Sequence, residues 1–163
     1  LLSNHLFIMP TSQKTIVLLK PDALQRDLLG PIIERFERKG LKIVGLKLVQ
    51  LSDALLDEHY AHHSGKPFFG ELKKFMMQTP VVVLALEGMD AIAEVRKIVG
   101  ATDPVKADAG TIRADFSMKV TSNLVHASDS EETAAAEVAR FFKDSEIFAY
   151  EKISDKYLFG EGV

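Results

Sequence analysis

His126 stands in the stretch Asn123-Leu124-Val125-His126-Ala127-Ser128-Asp129-Ser130-Glu131, between an apolar run and a dense helix-start signal. An imidazole at such a corner is either a structural group or one that is held rigidly and still reached from solvent. Either serine can cap the helix that follows, and the acidic residues favour its positive end. On that helix Ala134, Val138 and Phe141 form an i, i+4, i+7 apolar stripe, and Glu137 lies i+3 from Ala134 along the inward side. A carboxylate there needs a partner. If Glu137 accepts a hydrogen bond from one ring nitrogen of His126, it fixes the tautomer and leaves the other nitrogen free as a nucleophile. The alternative is a solvated glutamate at the edge of the stripe.

Three cations form a second group: Lys20 at a strand end, Arg96 in a helix and Arg113 in a loop. Separated in sequence, they can converge in space, and guanidinium forks with a lysine point charge suit the oxygens of a polyphosphate. Taken singly, each is more often a surface charge. Pro21 keeps Lys20 extended, projecting from the sheet edge. Thr102 sits in a glycine-bounded loop and carries a weaker signal. In Gly65-Lys66-Pro67-Phe68-Phe69 one of the adjacent rings must point away from the face its neighbour packs on, so Phe68 is either core or an exposed stacking platform. His59, His62 and His63 have helical metal-ligand spacing without an HExxH signature, which favours a solvated face over zinc.

The elements that must position these groups are readable from periodicity. Residues 15–20 form a buried-strand pattern stopped by Pro21, and 28–40 a helix with Leu29, Ile32, Ile33 and Phe36 on one face and Gly40 at its end. Residues 41–50 read as a second strand, 52–63 and 67–77 as two helices, and 80–87 as a central strand apolar on both faces. A helix over 90–99, a loop over 100–110, a fourth strand over 115–120 and a helix over 130–143 complete the order. The plan is an α+β sandwich within the broader α/β class: ferredoxin-like βαββαβ, with a four-stranded antiparallel sheet, helices packed on it and a helical insertion.

The 163 residues fit one domain, expected over 14–163 behind a frayed extension at 1–13, with Met9 as a natural start. With 23 acidic against 20 basic residues, the net charge of -3 argues against broad nucleic-acid binding, so any phosphate recognition is local. The absence of cysteine excludes disulfides, thiolate metal sites and a cysteine nucleophile. No run approaches the ~18 apolar residues of a membrane span. No P-loop, dinucleotide fingerprint or nucleophile elbow occurs.

In order and spacing, Leu19-Lys20-Pro21-Asp22, Gly65-Lys66-Pro67-Phe68-Phe69, Arg96 with Gly100-Ala101-Thr102-Asp103-Pro104, Gly110-Thr111-Ile112-Arg113-Ala114-Asp115-Phe116, and the stretch around His126 closely resemble the nucleoside diphosphate kinase family. The resemblance runs from Lys14 to Phe148. It implies transfer of the γ-phosphoryl group of a nucleoside triphosphate to a nucleoside diphosphate through a phosphohistidine on His126. Carried over by position, Glu137 and Ser128 would orient the imidazole, and Lys20, Arg96, Thr102 and Arg113 would bind the β and γ phosphates. Tyr60 would hydrogen-bond near Lys20, Phe68 would stack on the base with Val120 on its other side, and Asn123 and Lys20 would reach the ribose. Mg2+ would be held through the nucleotide phosphates, with no ligand from the chain. The resemblance further implies a cytoplasmic homo-oligomer, hexamer or tetramer, with no membrane or obligatory nucleic-acid partner.

Some positions depart from the family pattern. Ala23, Ala114 and Ala127 stand where glycine is common, and His62 and Ser64 where acidic residues are frequent. Two rival readings are a member that binds nucleotide without turnover and a ferredoxin-like binding module. The module would need exposed sheet aromatics, and residues 16–19 and 81–86 contain none.

Overall fold

The structure is a computed structural model and describes residues 12–159. Met9 and most of the expected N-terminal extension lie outside the described residues, whereas Ser12 and Gln13 belong to the first strand rather than to an extension. In chain order the elements are β1 Ser12–Leu19, α1 Pro21–Gln25, α2 Leu29–Lys39, β2 Lys42–Val49, α3 Asp53–His59, α4 Phe69–Met76, β3 Val81–Met89, α5 Ala91–Val99, α6 Ile112–Phe116, β4 Val125–Ala127, α7 Glu131–Phe141 and α8 Asp155–Phe159. Short 3-10 turns occupy Ala61–His63, Pro104–Lys106 and Asp144–Glu146.

The sheet has the order β2-β3-β1-β4, antiparallel throughout. The two long central strands are therefore β3 and β1. β-strand alternation sends Val17, Leu19, Val82, Leu84 and Leu86 to one face, where Ile32 and Phe36 of α2 and Val95 and Val99 of α5 cover them. Ile16, Leu18, Val81, Val83 and Ala85 point to the other face, against Leu56, Met76 and Phe141 of α3, α4 and α7. Helices thus cover both faces, which explains the uninterrupted apolar run in β3. No helix of the described residues is long and apolar enough to cross a membrane.

The fourth strand is not at 115–120 as its alternation suggests. Those residues end α6 and continue into an irregular loop, and the strand is Val125–Ala127, so His126 lies within it rather than after it. A three-residue strand has no period to read, and its place is set by pairing with β1. Arg113 accordingly sits in a helix and not in a loop. The helix expected over 52–63 stops at His59, where Tyr60 leaves helical geometry and a 3-10 turn follows. Ser52 caps its start through a bond from Leu55 N, and Gly40 ends α2 in the left-handed conformation.

Gly100 ends α5 at φ +85, and a Cβ there would stand 2.7 Å from the Cβ of Thr111, which caps α6. Gly100→Ala should therefore lower the unfolding free energy by about 1–3 kcal/mol in urea titration. A variant as stable as the parent would contradict this reading of the α5–α6 junction.

Candidate active site

Antiparallel pairing opposes His126 to Leu18, which puts the imidazole on the sheet face covered by α3 and α7. Glu137 of α7 comes down onto the same face and is buried. Its Oε1 lies 2.8 Å from His126 Nε2, and its Oε2 accepts from the Ser128 hydroxyl at 2.6 Å. Ser128, fully buried, is in turn tied to β1 through Ile16 N. Ser130, not Ser128, caps α7. Burial alone would raise the Glu137 carboxyl, but the bonds from His126 and Ser128 outweigh it and hold the group below its ordinary value.

His59 brings a second imidazole to the site, which the helical spacing does not reveal. Its ring is edge-on to His126 at 4.7 Å, its Nδ1 is 3.6 Å from Glu137 Oε1 and 3.5 Å from Arg140 Nη1, and its Nε2 is buried without a partner among the described residues. The expected solvated histidine face fails at this residue, because α3 ends there and turns His59 inward. Burial, aided by the His126 ring and opposed by Glu137, brings the His59 pKa down to about 3. Tyr60 stands beside it, 6.2 Å from the His126 ring centroid. Burial, reinforced by Glu137, raises its phenol.

His59, His126 and Glu137 offer ligand atoms within 4.8 Å of one another. Two imidazoles and a carboxylate suit a transition metal better than Mg2+. Both carboxylate oxygens already accept hydrogen bonds, however, and the Arg140 guanidinium faces His59. The trio fits a hydrogen-bonded support for His126 better than a cation site.

The second cluster lies where β1 ends. Lys20 follows a central strand and is buried, rather than projecting from the sheet edge. Its Nζ donates to Asn123 Oδ1 at 2.7 Å and not to Tyr60. Asn123 Nδ2 donates to the carbonyl of Thr102, a residue whose side chain is exposed. Arg113 is also buried and donates to the carbonyls of Asn123, Gly100 and Val125. Arg96 is exposed on α5, close enough for its charge to add to burial in drawing Arg113 down to about 10. The structure thus joins Lys20, Asn123, Thr102 and Arg113 by hydrogen bonds, with Arg96 alongside. Phe68 and Val120 are both about half exposed, as stacking surfaces must be.

A residue absent from the sequence reading joins the two clusters. Leu124, fully buried, has φ +69. For a bulky side chain this costs about 1–3 kcal/mol and persists only where its surroundings over-determine it. Its amide donates to Asp22 Oδ2 at 3.0 Å and its carbonyl accepts from Lys20 N at 2.8 Å. No local pattern marks such a residue, since leucine is not a left-handed former. Ala23, Ala114 and Ala127 all avoid positive φ, so none needs a glycine conformation.

A histidine bonded to a buried carboxylate, with buried cations on the same two-faced α+β sandwich, is suited to phosphoryl transfer, the chemistry of a kinase. Comparison with known proteins agrees. The family described as "Nucleoside diphosphate kinase" matches residues 13–147. A nucleoside diphosphate kinase of Pyrococcus abyssi is 51% identical over 146 residues, covering 88% of this chain and 92% of that protein. One from Parabacteroides distasonis is 55% identical over 139 residues, covering 85% and 91%. A solved halophilic nucleoside diphosphate kinase from Halobacterium salinarum, in complex with CDP, superposes with a TM-score of 0.89 at 40% identity, covering 91% of this chain and 99% of that one. The chain belongs to the nucleoside diphosphate kinase family, and its activity is that of a nucleoside diphosphate kinase.

The buried imidazole sets an acid limit on the fold. Between pH 6.5 and about 3 the unfolded chain protonates His59 while the folded chain does not, so its contribution is present above pH 6.5 and is lost as the pH falls. In NMR titration the His59 ring should keep its neutral shifts from about pH 8 to 5. A midpoint near pH 6.5 would refute the buried neutral state. Ser128→Ala, which leaves Glu137 Oε2 buried without a donor, should cost about 1–3 kcal/mol of stability in urea.

Proposed function

We propose that His126 is the nucleophile of a two-step exchange between nucleoside triphosphates and diphosphates. The observation that carries this is the 2.8 Å contact from His126 Nε2 to Glu137 Oε1, with Oε2 occupied by Ser128. With its proton on Nε2, the ring keeps a lone pair on Nδ1. Nδ1 attacks the γ phosphorus, the bond from phosphorus to the β-phosphate oxygen breaks, and the diphosphate leaves with that electron pair. A second diphosphate then attacks the phosphohistidine through a terminal oxygen and restores Nδ1. Phosphoryl transfer asks little covalent chemistry of the protein, so positioning and charge carry most of the acceleration.

Lys20, Arg96 and Arg113, with the Thr102 hydroxyl, hold the β and γ phosphates in this reading. Arg113 gives one donor each from Nε, Nη1 and Nη2 to backbone carbonyls, which fixes the guanidinium and leaves two N–H groups for phosphate oxygens. Asn123 and Lys20 reach the ribose, and Tyr60 supports the region beside His126. Phe68 and Val120 flank the base. A ring face is indifferent to which base it meets, so specificity is broad. Mg2+ would be held through the nucleotide phosphates, since the residues gathered at this end of the site are cationic. When bound, it neutralises phosphate charge. The outward Leu46 and Leu48 on edge strand β2 support assembly as a homo-oligomer, since such an edge is otherwise open to unwanted pairing.

Mixing the protein with γ-labelled ATP should give an acid-labile, base-stable phosphoprotein that GDP or CDP discharges. Label retained by His126→Ala at the parent level would remove His126 from the role of nucleophile. Burial, with Arg113 beside it and Asp22 opposing, brings the Lys20 ammonium down to about 8. Above that pH the free enzyme loses a phosphate-binding charge, so kcat/KM should fall on an alkaline limb centred near about pH 8. A profile flat to about pH 9.5 would show that Lys20 does not bind phosphate as a cation.

A further inference from the structure

Asp22 has no part in the chemistry above, and its surroundings are more elaborate than a capping residue requires. One oxygen, Oδ2, accepts from the amide of Leu124 at 3.0 Å. The other, Oδ1, is buried with no hydrogen-bond partner among the described residues. A neutral amide or hydroxyl would suffice to hold Leu124 N. A carboxylate instead brings a full charge into the interior, where leaving an oxygen unpaired is costly unless a nearby opposite charge compensates. The charged groups acting on neighbouring Lys20 are Arg113 on α6, which repels its proton, and Asp22 on α1, which favours it, while its hydrogen-bond partner Asn123 is neutral.

Position matters as much as charge. Leu124 is the left-handed link between Asn123, whose side chain bonds Lys20, and β4, which carries His126. Its two backbone groups are both anchored on Lys20 and Asp22. Arg113 holds the carbonyls on either side of it, at Asn123 and Val125. If Leu124 relaxed out of the left-handed region, the direction of the chain entering β4 would change, and with it the relation of the nucleophile to the cations.

We propose that Asp22 is a positioning residue for phosphoryl transfer: it pins the left-handed Leu124 link between phosphate clamp and nucleophile strand, and it supplies the internal counter-charge to the Lys20 ammonium. The inference rests on the kinase reading of the site for its consequence, but its electrostatic half is a property of the nucleotide-free protein. Asp22→Asn keeps an acceptor for Leu124 N and removes the charge, whereas Asp22→Ala removes both.

The test has two arms on the full chain. In the first, pH-dependent competitive acylation of Lys20 is followed by mass spectrometry in the nucleotide-free parent and in Asp22→Asn. The midpoint should fall by about one pH unit, equivalent to tenfold more neutral amine at a given pH below both midpoints. An unchanged midpoint overturns the counter-charge. In the second, labelled ATP is mixed rapidly with parent, Asp22→Asn and Asp22→Ala. The alanine variant should phosphorylate His126 slower by about tenfold or more, with the asparagine variant recovering most of that loss at a pH where its Lys20 is still protonated. Parent-like labelling in Asp22→Ala overturns the pinning. If Asp22→Ala does not fold, Asp22→Asn decides alone, because its Lys20 midpoint either falls or stays. Failure of the kinase reading would appear differently, as absence of label on the parent while the acylation arm still reports on Asp22.

Discussion

Glu137 is a carboxylate in the interior of a small protein, and keeping it ionised there constrains most of the site. An isolated buried charge is expensive, so each oxygen must have a donor. Ser128 supplies one and His126 the other. Ser128 can do so only because it pairs with β1 at Ile16, and His126 only because its register opposite Leu18 faces it toward α7. A slip of one residue in β4 would turn the imidazole to the opposite sheet face and strand the carboxylate. The register of a three-residue strand is therefore fixed by side-chain bonds at least as much as by its own ladder. His59 beside it is neutral because burial, aided by the His126 ring, outweighs the pull of this carboxylate toward the protonated form.

The cation cluster is connected to this arrangement through backbone rather than through side chains. Arg113 spans the carbonyls of Gly100, Asn123 and Val125, and so ties the end of α5 to the start of β4. Lys20 adds one side-chain link, from the end of β1 to the Asn123 amide oxygen. Burial first, and then repulsion by Arg113 on Lys20 and by Arg96 on Arg113, draws their pKa values down. In the proposed binding mode an anion between these cations offsets both desolvation and mutual repulsion.

Long periodic elements were legible in the chain because each carries its own burial pattern. β3 is apolar on both faces, α2 shows a clean apolar stripe ending in a left-handed glycine, and Glu137 sits on the inward stripe of α7. β4 was misplaced because residues 115–120 alternate locally, while the true strand is too short to alternate and depends on contacts with Ile16, Leu18 and Glu137. His59 was misread for a related reason. Helical spacing grouped it with His62 and His63, but the break at Tyr60 separates the buried ring from the outer pair. Leu124 was invisible, because its conformation is imposed by Asp22, Lys20 and Arg113 and not by its own preferences. Motif resemblance identified most of the candidate site where periodicity could not, since motifs preserve tertiary partners that no local rule contains.

The alanines at family glycine positions illustrate the same dependence on tertiary context. Ala127 is next to His126 in sequence, yet strand alternation points its methyl to the opposite face, with Val17 opposite and Val125 nearby in the core. Ala23 is buried in that same apolar cluster. Neither residue has positive φ, so neither methyl strains the backbone, and the added apolar contact and reduced freedom of the unfolded chain both favour the fold. Ala114 lies in α6, where alanine is a better helix former than glycine. These replacements therefore stiffen the scaffold behind His126 and the Lys20–Arg113 cluster. Adjacency in sequence overstates their proximity to the reaction, because the sheet lies between Ala127 and the imidazole.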